Sequence, residues 1–342
     1  YAASAQIVAK AAAVLGLEET RQNYQAIADR QWQVVKEEYF TATGRCAVKT
    51  QTGLVLALKY HLSDNERMTE QMLRNLLRDN KNKLKTGFVG TPLLCNVLTE
   101  HGMTDLAYRL LLNEEYPGWL HEVKLGATTV WERWNSLDEN GRISSTGMNS
   151  LNHYSYGAVL EWIFRHVAGI DVTEQGPGGK MMRISPKVDH KLGSASAVYD
   201  SASGCYRCGW QIANGDQITV TVTVPFGAKA QVILPYAPDS VYHDTDNPLF
   251  ETVENGICCV KAGQYTVTYK AASPLKKSYS VDSTLEDLLA EPAIRAFLSN
   301  MMEVDMIPDL AYGLTLRQAA EAFAGGVSAE QAQRLNVLLE EF

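Results

Sequence analysis

The sequence predicts a multidomain protein in which a series of α-helical hairpins is followed by an antiparallel β-sandwich and a short helical tail. Three observations support this prediction. Apolar residues recur with helical spacing over residues 1–170, alternate with polar residues within 171–282, and return to helical spacing over 283–342. A chain of 342 residues, 46% of them apolar, is long enough for two or three domains with buried cores.

The helical region begins with two apolar stripes. The first consists of Ile7, Val8, Ala11, Ala12, Val14 and Leu15, and the second of Tyr24, Ile27, Ala28, Trp32, Val35 and Tyr39. Further helices are expected at 50–61, 65–80, 90–101 and 103–113, and a last helix at about 150–167 is apolar enough to be buried on most sides. Short turns such as 41–44 join them, a pattern typical of helical barrels and solenoids.

The β-sandwich is predicted over residues 171–282. The run 171–180 contains Gly176-Pro177-Gly178-Gly179 and has the composition of a linker. Beyond it, apolar and polar residues alternate at 218–224 and 265–269, and shorter strands are expected at 228–234 and 257–261. Several short antiparallel strands of this kind are typical of a β-sandwich.

The helical tail is predicted over residues 283–342. Ser283 or Thr284 precedes Leu288 and Leu289 at the spacing of a helix N-cap, and Thr315 begins another segment. A packing role for this tail is at least as well supported as a binding role.

Composition excludes several functions. The net charge is −8 and the chain has no basic run, so no nucleic-acid partner is expected. No apolar stretch reaches membrane-spanning length, so no membrane partner is expected. Cys205 and Cys208 have zinc-like spacing, but Cys258 and Cys259 are adjacent and chelate one ion poorly, so neither metal nor cofactor is predicted. Free thiols favour a reducing compartment such as the cytoplasm.

The segment 113–148 lacks helical periodicity and is rich in glycine, aromatic and charged residues. A long irregular segment inside a compact domain is usually functional. Within it Glu132 lies between Trp131 and Trp134, and aromatic faces stack on sugar C–H groups while carboxylates bind hydroxyls or activate water. Glu132 is therefore a candidate catalytic carboxylate of a glycosidase, although a lone carboxylate is more often only solvated.

His153 is the second candidate, because it lies near the N-terminal end of the last predicted helix, where helix ends of a barrel face a substrate. A structural histidine in the core is the alternative interpretation, and Gly87 and Gly90 likewise suit either a site loop or a simple turn before a helix.

Four motifs, which follow one another along the chain, indicate the family to which these residues belong. They are Thr86-Gly-Phe-Val-Gly-Thr-Pro92, Leu106-Ala-Tyr-Arg-Leu-Leu-Leu-Asn-Glu-Glu-Tyr-Pro-Gly-Trp119, Gly126-Ala-Thr-Thr-Val-Trp-Glu-Arg-Trp134 and Gly147-Met-Asn-Ser-Leu-Asn-His-Tyr154. Together they resemble the pattern of bacterial α-L-rhamnosidases, glycoside hydrolase family 78, and the wider resemblance extends over residues 1–275.

The resemblance implies that residues 1–170 are the C-terminal half of an (α/α)6 catalytic barrel. It also implies hydrolysis of terminal α-L-rhamnose from an oligosaccharide or glycoside, with inversion. By motif, Glu132 corresponds to the general base that activates water, and His153 to a histidine that contacts rhamnose. Trp131 and Trp134 flank the base and are expected to shape the sugar site.

The chain departs from the family pattern because no counterpart of the general-acid loop occurs within residues 1–85. About seven helices precede residue 170, where a complete barrel has twelve. Tyr1 is neither an initiator Met nor part of a signal peptide, so we expect a piece of a longer polypeptide, with the general acid upstream. This chain alone is expected to be inactive and to form a homo-oligomer through exposed apolar surface.

Two alternatives remain from sequence. One is another (α/α)6 enzyme, either a glycosidase of different specificity or a polysaccharide lyase. The other is a non-catalytic carbohydrate-binding or assembly module. In the predicted sandwich, Trp210 is the only tryptophan that could stack on a glycan.

Overall fold

The structure is a computed structural model that describes residues 1–138, 140–144, 147–244, 246–301, 303–308, 311–323 and 325–340. The chain forms two compact units, Tyr1–Gly157 and Ala158–Phe342. The first unit is helical, and the second contains a β-sandwich and the helical tail. The predicted domain limits at residues 170 and 282 stay predictions.

Consecutive helices of the first unit pack in pairs, as a hairpin series requires. The helices are α1 (Ala2–Val14), α2 (Glu18–Tyr39), α3 (Gln51–Lys59), α4 (Glu66–Asp79), α5 (Thr91–Glu100), α6 (Thr104–Leu111) and the short α7 (Trp119–Lys124). Side-chain caps fix two of the starts, since Thr50 accepts from the N–H of Gly53 (3.0 Å) and Asn65 from that of Met68 (3.2 Å). The predicted helices are confirmed, and α7 is a helix inside a segment predicted to be irregular.

The first helix buries a different face from the one its apolar stripe predicts. Its buried residues are Ala2, Ala5, Ala9 and Ala12, whereas Ile7 is 67% and Val14 is 88% exposed. α1 packs against α2, whose buried residue is Ala28. Small side chains line this contact, so the large apolar residues of α1 point away from it. Of the residues in that stripe, only Ala12 is buried.

A buried amide holds the segment that leads to α5. Gln51, at the start of α3, donates from Nε2 to the carbonyl of Lys83 (2.9 Å) and accepts at Oε1 from the N–H of Lys85 (2.8 Å). Because both ends of this amide are used, residues 83–85 have a fixed position, and so has Thr86, which follows them.

The predicted helix at 150–167 is shorter and less buried than expected. A 3-10 turn at Ser155–Ala158 leads to α8 (Val159–Trp162) and a π-helical turn at Ile163–Val167. Trp162 is fully buried, but Leu160 and Phe164 are exposed. Residues 150–153 are not helical because their backbone groups bond to another segment, described below.

The sandwich consists of two sheets. Its strands are β1 (Ile170–Val172), β2 (Met181–Ile184), β3 (Ser194–Ser201), β4 (Gly204–Ala213), β5 (Gln217–Val224), β6 (Lys229–Ile233), β7 (Val253–Glu254), β8 (Ile257–Val260) and β9 (Gly263–Lys270). One sheet has the order β1-β2-β6-β8-β7 and the other β3-β4-β5-β9. All pairs are antiparallel except β2 with β6, which is parallel and departs from the prediction.

The sandwich core follows the predicted alternation. Ile218, Val220, Val222 and Val224 of β5 are buried, with threonines between them that are more exposed. Tyr206 of β4 donates from its hydroxyl to the carbonyls of Gly179 (2.7 Å) and Lys229 (3.1 Å), which ties one sheet to the other. Trp210 is buried and donates to the carbonyl of Val167 (2.7 Å), so its ring is not available to stack on a glycan.

The described part of the tail contains α-helices packed around its own apolar core. They are α9 (Leu285–Ala290), α10 (Pro292–Ser299), α11 (Leu316–Phe323) and α12 (Ala329–Glu340), packed around fully buried residues such as Val281, Leu288 and Ile294. The predicted caps are present: Thr284 accepts from the N–H of Asp287 (3.2 Å), and Thr315 from that of Gln318 (3.1 Å). Among the residues that the structure describes, no helix is long and apolar enough to cross a membrane.

Candidate active site

Two loop segments of the first unit run side by side and bring Glu132 next to His153. The N–H of Glu132 donates to the carbonyl of Ser150 (2.9 Å), and the N–H of His153 donates to the carbonyl of Val130 (2.8 Å). The hydroxyl of Thr129 also donates to the carbonyl of Leu151. These three bonds join residues 129–132 to residues 150–153, so the two candidate residues of the sequence lie on paired backbone.

Glu132 is half-buried, and its carboxylate has no hydrogen-bond partner among the described residues. A carboxylate that is neither fully solvated nor paired is available to bind a water molecule or a hydroxyl group. Its backbone is fixed by Ser150, so the side chain leaves a defined point of the loop.

The imidazole of His153 lies between two aromatic rings. Phe88 stacks on it with ring centroids 4.7 Å apart, and Tyr154 with centroids 5.1 Å apart. The N–H of Ser155 donates to Nδ1 (3.3 Å), so this nitrogen is unprotonated and the ring proton resides on Nε2. Nε2–H is therefore a hydrogen-bond donor with a fixed direction.

The two tryptophans beside Glu132 are buried. Trp131 is 2% exposed and Trp134 is 8% exposed. Trp134 lies parallel to Tyr156, with centroids 4.0 Å apart, and meets Trp119 edge to face at 5.3 Å. Its Nε1 donates to the carbonyl of Thr86 (3.3 Å). Such burial favours a supporting role under the site, and the prediction that these rings shape the sugar site stays a prediction.

The segment 86–91 forms another wall of the site. Thr86 and Thr91 share a buried hydroxyl–hydroxyl bond (2.8 Å), and Phe88 reaches His153 from this segment. Gly90 is required by close packing, because a Cβ there would lie 2.4 Å from Oγ1 of Thr52. A Cβ at Gly87 would meet no atom within 4 Å. The two glycines that the sequence could not distinguish therefore have different roles.

Glu122 is a titratable residue of this region that sequence reasoning did not single out. It lies on α7 and is 4% exposed. Burial raises the pKa of Glu122 to about 8, and the backbone N–H of Trp131 opposes this rise. One signal was available in the sequence, since Glu122 follows Trp119 by three residues and shares its helical face.

Tyr156 is buried among aromatic rings of this region. Burial raises the pKa of Tyr156 first, and the negative charges of Glu122 and Glu132 raise it further, while the guanidinium of Arg133 lowers it. The hydroxyl therefore stays protonated at neutral pH.

Comparison with known proteins identifies the family to which the chain belongs. Residues 1–167 match the family model of the bacterial alpha-L-rhamnosidase 6 hairpin glycosidase domain, and residues 169–247 match that of the bacterial alpha-L-rhamnosidase C-terminal domain. The chain belongs to the bacterial α-L-rhamnosidase family. The predicted family and fold class are thereby confirmed: a helical-hairpin domain that forms part of an (α/α)6 barrel is followed by a β-sandwich and a helical tail.

Individual α-L-rhamnosidases are similar to this chain in sequence. The chain is 36% identical over 258 residues to an alpha-L-rhamnosidase of Formosa agariphila, and 36% identical over 271 residues to one of an Alteromonas species. These alignments cover 75% and 78% of this chain but 27% and 29% of the relatives, so the chain spans less than a third of their length.

Solved α-L-rhamnosidase structures share the fold. The Streptomyces avermitilis α-L-rhamnosidase complexed with L-rhamnose has a TM-score of 0.71 and 32% identity, and the match covers 79% of this chain and 26% of that one. The native enzyme of Aspergillus terreus has a TM-score of 0.69 and 28% identity, covering 80% and 30%.

The cysteines that have zinc-like spacing in the sequence lie on two different sheets. Cys205 and Cys208 are on β4, and Cys258 and Cys259 are on β8, in the other sheet. Within the described ranges no group of three or more His, Cys, Asp or Glu residues is placed to hold a metal ion. Burial raises the pKa of Cys208 to about 12 and that of Cys258 to about 11, so both remain thiols.

Proposed function

We propose that the protein removes terminal α-L-rhamnose from oligosaccharides or glycosides with inversion of configuration, and that Glu132 is the general base. The observation that supports this assignment is the half-buried carboxylate of Glu132, which is unpaired among the described residues and follows a backbone segment bonded to that of His153. Curated relatives are named alpha-L-rhamnosidases, and the Streptomyces relative was solved with L-rhamnose, which supports the substrate class.

The chemistry assigned to Glu132 is removal of a proton from water. In an inverting glycosidase this water attacks the anomeric carbon on the face opposite the departing oxygen, while a second carboxyl group protonates that oxygen. The carboxylate of Glu132 accepts the water proton as the new C–O bond forms. A partner-free carboxylate suits this step, because no competing hydrogen bond must be broken first.

His153 is assigned to sugar binding. Its Nε2–H donates to a rhamnose hydroxyl, and its two neighbouring rings prevent the imidazole from rotating. Trp131 and Trp134 hold the base segment from beneath and form the apolar floor of the sugar site.

The general acid is assigned to polypeptide upstream of Tyr1. The early glutamates Glu18, Glu19, Glu37 and Glu38 lie on α2, an ordinary helix, and Glu18 is paired with Arg21. Because inversion needs two carboxyl groups about 6.5–9.5 Å apart, the isolated chain is expected to turn over about 10²–10⁴ times more slowly than the full-length protein.

The test compares full-length protein, the isolated chain and Glu132→Gln on an aryl α-L-rhamnoside. Glu132→Gln should lower kcat about 10²–10⁴-fold, because the amide cannot accept the water proton. Proton NMR of the first product should show the β-anomer, as inversion requires.

Glu38→Gln is the matched control, since Glu38 is an exposed glutamate on α2. It should retain full activity. Near-normal activity of Glu132→Gln would remove Glu132 from its assigned role, and an α-anomer as first product would refute inversion. Full turnover by the isolated chain would contradict the upstream acid.

A further inference from the structure

Three rings form a continuous stack at the candidate site. The centroid of the His153 imidazole lies 4.7 Å from that of Phe88 and 5.1 Å from that of Tyr154, with interplanar angles of 16° and 21°. Nearly parallel rings at such distances attract one another. The proposed function uses the imidazole in the middle of this stack, and it uses the outer two rings only to hold the imidazole.

The two ends of the stack differ in their surroundings. The ring of Phe88 packs against that of Tyr156 with centroids 5.8 Å apart, and Tyr156 lies parallel to the buried Trp134 at 4.0 Å, so this end is closed by protein. Tyr154 is 84% exposed, and in the described part of the chain its ring contacts no aromatic ring except that of His153. One face of the Tyr154 ring is therefore open to solvent.

The backbone that carries this exposed ring is held in place. The carbonyl of Tyr154 accepts from the N–H of Gly157 (3.0 Å), and the N–H of His153 donates to the carbonyl of Val130 (2.8 Å). A Cβ at Gly157 would lie 3.2 Å from Cγ2 of Val130, so the turn after Tyr154 packs closely on the segment that leads to Glu132. An aromatic ring on a fixed backbone can stack on a ligand at a small cost in entropy.

We infer that Tyr154 is a specificity-determining residue, and that the open face of its ring stacks on a planar aromatic leaving group attached to rhamnose. This inference rests on the proposed function, because it extends the site in which His153 binds the sugar. It adds the part of the substrate that is recognised beyond the rhamnose ring.

The position of the open face assigns it to the leaving group and not to rhamnose. Nε2–H of His153 lies in the imidazole plane, so a hydroxyl that accepts from it lies beside the stack, about 2.9 Å from the nitrogen. A ring stacked on Tyr154 lies at the end of the stack, on the order of 10 Å from the imidazole centroid. One pyranose ring cannot occupy both places. A terminal rhamnose carries one further group at its anomeric carbon, and that is the leaving group.

The neighbouring side chains favour an aromatic ring over a second sugar. A sugar needs hydrogen-bond partners for its hydroxyls beside the stacking face. Four polar side chains within residues 129–150 are already bonded inside these loops, namely those of Thr129, Ser136, Asn149 and Ser150. Large exposed side chains on the segments that lead to and from the stack are apolar, since Val89 follows Phe88 and Met148 precedes the His153 segment.

The test uses full-length protein and three substrates that all release an alcohol: methyl α-L-rhamnoside, 2-phenylethyl α-L-rhamnoside and a rhamnosyl-glucose disaccharide. The wild-type protein should have a kcat/KM about fivefold to fiftyfold higher for the phenylethyl than for the methyl substrate, because only the former stacks on Tyr154. In Tyr154→Ser this ratio should fall to less than about twofold, and in Tyr154→Phe it should stay as in the wild type.

The ratio of the two substrates separates this role from mere support of His153. If Tyr154 only holds the imidazole, Tyr154→Ser lowers kcat/KM for both substrates equally and leaves the ratio unchanged, which overturns the inference. Tyr199→Ser is the matched control, because Tyr199 is an exposed tyrosine on β3 of the sandwich, and it should keep the wild-type ratio.

Two further outcomes overturn the inference and leave the rhamnosidase assignment intact. One is a wild-type protein without preference for the phenylethyl substrate, a result that requires no variant to fold. The other is a Tyr154→Ser variant that loses more activity on the disaccharide than on the phenylethyl substrate, which assigns the open face to a second sugar. Absence of wild-type turnover on all three substrates instead refutes the proposed function.

Discussion

At the scale of single residues, the site depends on side chains whose orientation is fixed by neighbours. His153 is stacked between Phe88 and Tyr154, and its Nδ1 is occupied by the N–H of Ser155. An imidazole restrained in this way would lose little further entropy in binding a sugar, as proposed for it. Glu132 differs, because its backbone is bonded to Ser150 while its carboxylate has no partner among the described residues.

The role of His153 can be tested by removing its donor. His153→Ala should lower kcat/KM for an aryl α-L-rhamnoside about tenfold to a hundredfold, because one hydrogen bond to the sugar and the stacked wall are lost. Tyr154→Phe is the control, since the neighbouring ring keeps its stack and loses only an exposed hydroxyl. Equal effects of the two substitutions would argue against the donor role.

At the scale of elements, the start of α5 is fitted closely to α3. Gly90 has helical backbone angles, and a methyl group there would approach Oγ1 of Thr52 to 2.4 Å and Cγ2 of Thr86 to 2.9 Å. Thr86 is buried and bonded to Thr91, so it has little freedom to move. The absence of a side chain at Gly90 thus lets the wall segment 86–91 lie against α3.

Alanine substitutions separate the two glycines of this segment. Gly90→Ala should destabilise the protein by about 1–3 kcal/mol, because overpacking outweighs the usual gain from replacing a helical glycine. Gly87→Ala meets open space and should change the free energy of unfolding by less than about 1 kcal/mol. Thermal unfolding of both variants measures the difference, and equal melting temperatures would contradict the packing argument.

The sequence predicted the elements better than their faces. Helical spacing located α3 to α6, and alternation located β5 and β9, because each pattern depends on local geometry alone. The apolar stripe of α1 does not identify its buried face, because which face is covered depends on the partner helix and not on the most apolar stripe. The parallel pairing of β2 with β6 was missed for a similar reason, since strand partners are distant in sequence.

The site was predicted in part. Family motifs singled out Glu132 and His153, and their adjacent backbones agree with that choice, although their roles stay predictions. Glu122 was missed because α7 has only six residues, too few to show periodicity. Nothing in a single sequence tells a buried carboxyl from a solvated one.

At the scale of the whole molecule, the chain spans less than a third of the length of its curated relatives. The first helix and its C-cap expose the large apolar side chains of Ile7, Val14 and Leu15. Exposed apolar surface of this kind is stabilised by covering it with other polypeptide.

The isolated chain is therefore expected to self-associate through α1. Sedimentation velocity should show dimers or larger species at high micromolar concentration, and Ile7→Glu combined with Val14→Glu should shift them towards monomer. Phe226→Glu is the control, because Phe226 is an exposed aromatic residue in the sandwich, far along the chain. A monomeric wild-type chain would rule out this surface as an association site.

The backbone bonds between residues 129–132 and 150–153 have a mechanical consequence. They join the carboxylate-bearing segment to the histidine-bearing segment, so a shift of one backbone is passed to the other. Under the proposed function, a sugar that pushes on the imidazole would therefore also move the carboxylate. Recognition of the sugar ring and alignment of the attacking water would then be coupled, and a poorly fitting sugar would misalign the water.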